Sequence, residues 1–162
     1  MGTGKKQQRV ADAATSNAGD DFHLVWAARR ALALLKPNAA LKGLLPENAA
    51  PIDAVRLDPT GQRLLGIDLT EYFGATSFES ADSVVYSQLK YSTTKPNAAW
   101  TTAALTRGKN GKKAGSLIDR LSNVFKSHVD TFGRDATIAK LRICLVSNRP
   151  VGSETNSSKS QS

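Results

Sequence analysis

The chain has 162 residues, 40% of them hydrophobic and 22% charged, which is enough for one domain with a buried core and unlike a fibrous or wholly disordered protein. No stretch approaches the about 20 apolar residues a membrane helix needs, and the basic N-terminus is not followed by the apolar run of a signal peptide. Lys and Arg number 22 against 14 Asp and Glu, a formal charge of +8 that suits a nucleic-acid partner, because each phosphate contact releases counterions.

Residues 1–19 are polar and rich in Gly, Ala and Ser, and read as a flexible arm. Asp20 and Asp21 suit the start of a helix, where carboxylates meet the positive end of the helix dipole. Phe22, Val25, Trp26, Arg29 and Ala33 follow at helical spacing as far as Leu35, and Lys36-Pro37-Asn38 stops the helix. A short apolar stretch from Leu41 to Leu45 is broken by Pro46 and Pro51. Ala54–Leu57 and Arg63–Leu69 then read as two strands of a hairpin around the turn Asp58-Pro59-Thr60-Gly61. A loop is expected after Glu71-Tyr72-Phe73-Gly74, followed by a third strand from Ser83 to Tyr91 that is rich in β-branched and aromatic residues.

The segment 93–115 reads as a basic loop with a short helix around Trp100 to Leu105. Leu117, Ile118, Leu121, Val124, Phe125, Val129 and Phe132 form the apolar stripe of the clearest helix, which Gly133 ends. Ile138 to Val146 reads as a fourth strand, with Leu141, Ile143 and Leu145 alternating against Lys140, Arg142 and Cys144. Residues 152–162 read as a disordered tail, leaving one domain over 20–151. A helix between two strands favours a right-handed crossover, so the expected fold class is α/β: a mixed central sheet flanked by helices.

Asp68, Gln88 and Lys90 are the residues whose pattern suits chemistry. Gln88 and Lys90 stand two apart on one strand and share a face, while Leu89 points away. If the second and third strands are neighbours, Asp68 meets this pair. A carboxylate and an amide oxygen are hard ligands for Mg²⁺ or Mn²⁺, and an ammonium beside them can orient a water and stabilise phosphate charge.

The triple resembles the Asp-x(n)-(Asp/Glu)-x-Lys core of restriction-endonuclease-like nucleases, the PD-(D/E)xK superfamily, in the variant with Gln at the second acid. Mrr-like restriction enzymes and the N-terminal nuclease effector domains of bacterial antiphage systems look like this. The resemblance runs over residues 16–151, through Gly19-Asp20-Asp21-Phe22-His23, Trp26, Ile67-Asp68-Leu69-Thr70-Glu71-Tyr72-Phe73-Gly74, Tyr86-Ser87-Gln88-Leu89-Lys90-Tyr91-Ser92, Trp100-Thr101 and Leu145-Val146-Ser147-Asn148-Arg149-Pro150. It implies a restriction-endonuclease-like fold and a Mg²⁺- or Mn²⁺-dependent endonuclease acting on double-stranded DNA in the cytoplasm, as an antiviral defence effector. Asp68, Gln88 and Lys90 would be catalytic, and Asp68 and Gln88 would hold the metal. It also implies assembly, as a homo-oligomer or with a sensor domain outside this chain.

A neutral Gln88 holds metal less strongly than an acid, so activity is either lower or needs a further carboxylate, for which Asp21, Glu47, Glu71 and Asp58 are candidates. The same substitution keeps a second function open, a catalytically inactive DNA-binding or assembly module. Arg107, Lys109, Lys112 and Lys113, interleaved with Gly108 and Gly111, form the candidate contact to the DNA backbone. No RNP-like or KH-like motif supports an RNA-binding module. His23 and His128 read as structural, and Trp26 and Trp100 as packing residues. Ser92 and Thr93 could donate to a phosphate or cap a turn. Cys144 stands alone, which excludes an internal disulfide and a cysteine zinc site and agrees with a reducing compartment; its apolar strand suggests an inert core residue.

Overall fold

The computed structural model describes residues 18–46, 67–108 and 114–152. Helix α1 covers 18–31 and runs into a 3-10 turn, Leu32–Leu35; the periodicity predicts this helix from Asp20 to Leu35, and it starts two residues earlier, at residues assigned to the arm. Strand β1 is Leu41–Pro46, β2 is Leu69–Phe73 and β3 is Ser83–Lys90. Helices α2 (Thr102–Thr106), α3 (Leu117–Phe132) and α4 (Arg134–Lys140) lead to strand β4, Leu141–Ser147. The sheet order is β1-β2-β3-β4. The first two pairings are antiparallel and β3 pairs parallel to β4 across the helical connection, so the fold is mixed α/β. Among the described residues no helix is long and apolar enough to cross a membrane.

Three elements differ from the sequence expectation. The predicted strand 54–57, its turn and most of 63–69 lie outside the described residues; the strand that pairs with β3 on its antiparallel side is Leu69–Phe73, which starts where the predicted second strand ends and runs up to the expected loop. Glu71 makes this segment look polar, yet it is buried in β2 because Arg30 of α1 neutralises it, the guanidinium Nε and a terminal nitrogen each lying 2.7 Å from Oε1. The antiparallel partner of β2 on its other side is β1, whose Gly43 and Pro46 are poor strand residues. Gly43 follows a register shift after Leu41, and Pro46 ends a strand that is at the edge of the sheet among the described residues, where its missing N–H disrupts no described ladder. Residues 138–140 belong to α4 rather than to the fourth strand. Asp135 in its first turn and Lys140 in its last complement the helix dipole, which offsets the β-branched Thr137 and Ile138.

The core lies between one face of the sheet and α3. Ile67, Phe78, Ala81, Val84, Tyr86, Val124 and Leu141 form it, with Tyr72, Leu121, Phe125, Phe132 and Ile143 packed against it. Ser116 caps α3 by accepting from Asp119 N at 3.1 Å, while Asp119 accepts from Gly115 N at 2.7 Å, and Gly133 at φ 82° closes the far end. Ile118 departs from the predicted buried stripe and is 43% exposed. His128 joins the stripe instead: Nδ1 donates to the Val124 carbonyl at 2.9 Å, and Nε2 hydrogen-bonds the Tyr86 hydroxyl at 2.9 Å. This is the structural role the sequence suggested. Cys144 is not a core residue: it sits on the outward face of β4 and is exposed, because the alternation puts Leu141 and Ile143 on the core side.

Candidate active site

Asp68 immediately precedes β2, and the β2–β3 register places it opposite Gln88. Its backbone N–H donates to the Ser87 carbonyl at 2.9 Å, which anchors it at the point where β2 begins. The Asp68 carboxylate is buried and accepts two hydrogen bonds at Oδ2, one from Gln88 Nε2 and one from the backbone N–H of Leu89 at 2.6 Å. Gln88 is 1% exposed, and its Oε1 is buried with no hydrogen-bond partner among the described residues. Lys90, half-buried at the end of β3, shares the Gln88 face by the strand period and has no ion-pair partner among the described residues. The fold therefore brings Asp68 and Gln88 into direct contact and puts Lys90 next along the same face.

No protein-family model matches the chain, and no curated protein does. The resemblance to restriction-endonuclease-like nucleases accordingly rests on the motif residues of the sequence alone.

A buried amide oxygen without a partner beside a buried carboxylate is costly unless something fills the gap. A hard divalent cation fits that donor set. Among the described residues no three His, Cys, Asp or Glu side chains gather into a metal cage. Mg²⁺ does not require one, since it keeps several waters and is commonly held by one or two carboxylates plus substrate phosphates. Of the candidate extra acids, Glu71 is committed to Arg30 and alternates to the other face of β2 from Asp68. Asp21 is exposed on α1, and Glu47 and Asp58 lie outside the described residues.

Two neighbours of the site are not expected there from the sequence: nothing singles out Thr70, and His23 reads as structural. Thr70 is on the Asp68 face of β2, fully buried, and its Oγ1 has no partner among the described residues. His23 of α1 brings Nε2 to 3.3 Å from the Leu89 carbonyl oxygen and 3.9 Å from Asp68 Oδ2. The period of α1 marks His23 as one helical residue among many, and only the docking of that helix puts it beside Asp68.

The end of the sheet next to Lys90 is tightly tied. Ser92 N donates to Asn148 Oδ1 at 3.0 Å, and Asn148 Nδ2 donates to the Ser92 carbonyl at 2.9 Å. Ser92 Oγ accepts from Lys95 N at 3.1 Å, so Ser92 caps a turn, one of its two expected roles. Trp100 donates Nε1 to Ser147 Oγ at 3.0 Å and carries the Arg149 guanidinium 4.2 Å above its ring. Trp100 is thus a packing residue, as expected. Trp26 is half-buried against Phe22, with the two ring centroids 6.4 Å apart. Of the basic-loop residues, Arg107 follows α2 and is exposed, while Lys109, Lys112 and Lys113 lie outside the described residues.

Proposed function

We propose that the chain is a Mg²⁺- or Mn²⁺-dependent endonuclease cleaving double-stranded DNA, with Asp68, Gln88 and Lys90 as its working residues. One observation carries the reading: Asp68 and Gln88 meet in the interior with an amide oxygen left unpartnered, and a lysine follows on the same face. Asp68 and Gln88 Oε1 would hold the cation, which would supply Lewis acidity and a water acidic enough to attack phosphorus near neutral pH. Lys90 has the chemistry to orient that water and to balance charge on the non-bridging phosphate oxygens. The buried carboxylate is kept in place by Leu89 N, so its orientation does not depend on substrate. The formal charge of +8, with Arg107, Lys109, Lys112 and Lys113 close together in the sequence, suits a duplex backbone.

The motif resemblance adds the biological setting, an effector domain of bacterial antiphage defence in the cytoplasm that works as a homo-oligomer or under a sensor domain. A second reading is an inactive DNA-binding or assembly module of the same architecture. The hydrogen bond between Gln88 Nε2 and Asp68 favours it, because the pair partly satisfies itself without an ion.

Incubation of supercoiled plasmid with the protein in Mg²⁺, Mn²⁺ or EDTA separates the two. Nicked and linear products that appear with either ion and vanish in EDTA are expected. Intact plasmid under all three conditions, with retarded migration from binding, would favour the inactive module.

A further inference from the structure

We propose that His23 is a positioning residue of this site, holding the Leu89–Lys90 peptide; the inference rests on the endonuclease reading above. The antiparallel register of β2 and β3 ends at the pair Leu69 and Ser87. Ser87 directs its carbonyl toward the β2 side, where Asp68 N donates to it. Residues two apart on a strand direct their backbone polar groups to the same side, so both polar groups of Leu89 face the side on which β2 has already ended. Side chains stand in for the missing strand. Asp68 Oδ2 accepts from Leu89 N at 2.6 Å, and His23 Nε2 lies 3.3 Å from the Leu89 carbonyl oxygen.

A carbonyl oxygen has no proton to give, so His23 Nε2 carries the hydrogen and donates it. The same nitrogen lies 3.9 Å from Asp68 Oδ2, which favours the carboxylate where it stands. The two peptide groups of Leu89 are therefore each held, Gln88–Leu89 through its N–H by Asp68 and Leu89–Lys90 through its carbonyl by His23 of α1. Leu89 separates Gln88 from Lys90, so the planes of its two flanking peptides help set the directions in which those two side chains leave the strand. The His23 side chain is 28% exposed, which leaves the ring open to solvent at one edge while Nε2 faces inward. A helix is thereby coupled to the geometry of a site on the sheet.

Groups that orient metal ligands and their neighbours typically change metal affinity or activity by about 10–100-fold when removed. His23→Ala, His23→Gln and His23→Asn are compared with wild type by Mn²⁺ titration calorimetry and by plasmid cleavage at saturating metal and DNA. Far-UV circular dichroism and the thermal midpoint report the fold. A Gln amide nitrogen reaches the position of imidazole Nε2, whereas an Asn amide reaches only that of Nδ1. Wild type is expected to bind Mn²⁺ and cut. His23→Ala lowers Mn²⁺ affinity and the saturated rate by about tenfold or more, with KM for DNA unchanged. His23→Gln restores both to within about twofold of wild type, and His23→Asn stays with the alanine variant.

If His23→Ala matches wild type in affinity and rate, or if Asn restores as well as Gln, the positioning role is wrong while the endonuclease reading stands. Should the alanine variant fail to fold, the contrast between Gln and Asn decides alone. A wild-type protein that neither binds Mn²⁺ nor cuts plasmid removes both readings together.

Discussion

Asp68 accepts the side-chain amide of Gln88 across the start of β2 and the end of β3, and both residues are buried. Gln88→Glu would set two carboxylates against each other at hydrogen-bond range, where both cannot ionise without a cation between them. The variant is expected to melt below wild type in EDTA and to gain more in thermal midpoint from Mn²⁺ than wild type does. Gln88→Ala should lose the metal-dependent rise. Differential scanning fluorimetry across a Mn²⁺ series reads all three proteins, and equal shifts in the three would remove Gln88 from the metal site.

Asp68→Asn and Lys90→Ala should each abolish cleavage and preserve the fold. Asn keeps an acceptor for Leu89 N, whereas Asp68→Ala would leave that buried donor unsatisfied at a cost of about 1–3 kcal/mol. Lys90 has no ion pair among the described residues, so its removal strands no partner there. Circular dichroism beside the plasmid assay checks both, and wild-type cutting by a folded Lys90→Ala would overturn the assignment.

Arg30 and Glu71 fasten α1 to β2 through a pair in which the carboxylate is buried and the guanidinium partly exposed. Arg30→Ala leaves Glu71 charged and unpaired in the interior, and should destabilise the fold by about 2–3 kcal/mol. Glu71→Gln in the Arg30→Ala background should recover part of that loss, since a neutral amide is cheaper to bury. Urea unfolding of the single and double variants measures the coupling; additive effects would show that the pair contributes nothing.

Arg107, Lys109, Lys112 and Lys113 are expected to touch phosphates rather than base edges. Their joint replacement by alanine should weaken binding alike on unrelated duplexes and flatten the plot of log affinity against log salt, by about 0.9 for each phosphate no longer neutralised. An unchanged slope would move the DNA-binding surface elsewhere on the molecule.

The first helix from Asp20 onward, β3 and α3 were legible in the sequence because each carries a strong local signal: helical apolar spacing, a β-branched and aromatic run, and an amphipathic stripe closed by a glycine. The spacing of Gln88 and Lys90 likewise follows from strand geometry alone. β1 and β2 were not legible. Gly43, Pro46 and Glu71 each argue locally against a strand, and what overrides them is non-local: an edge position for Pro46, a register shift beside Gly43, and Arg30 from another element for Glu71.

The amino-acid sequence by itself determined the basic charge, the α/β class and the residue types that could form a phosphodiester-cleaving site. The tertiary structure decided which groups meet: Asp68 with Gln88 and Leu89 N, Glu71 with Arg30 instead of with Asp68, and His23 with the Leu89 carbonyl. The reason is one of range. Backbone periodicity acts over a few residues and is written locally, whereas the partner of a buried polar group is whichever group the packing of distant segments brings within about 3 Å.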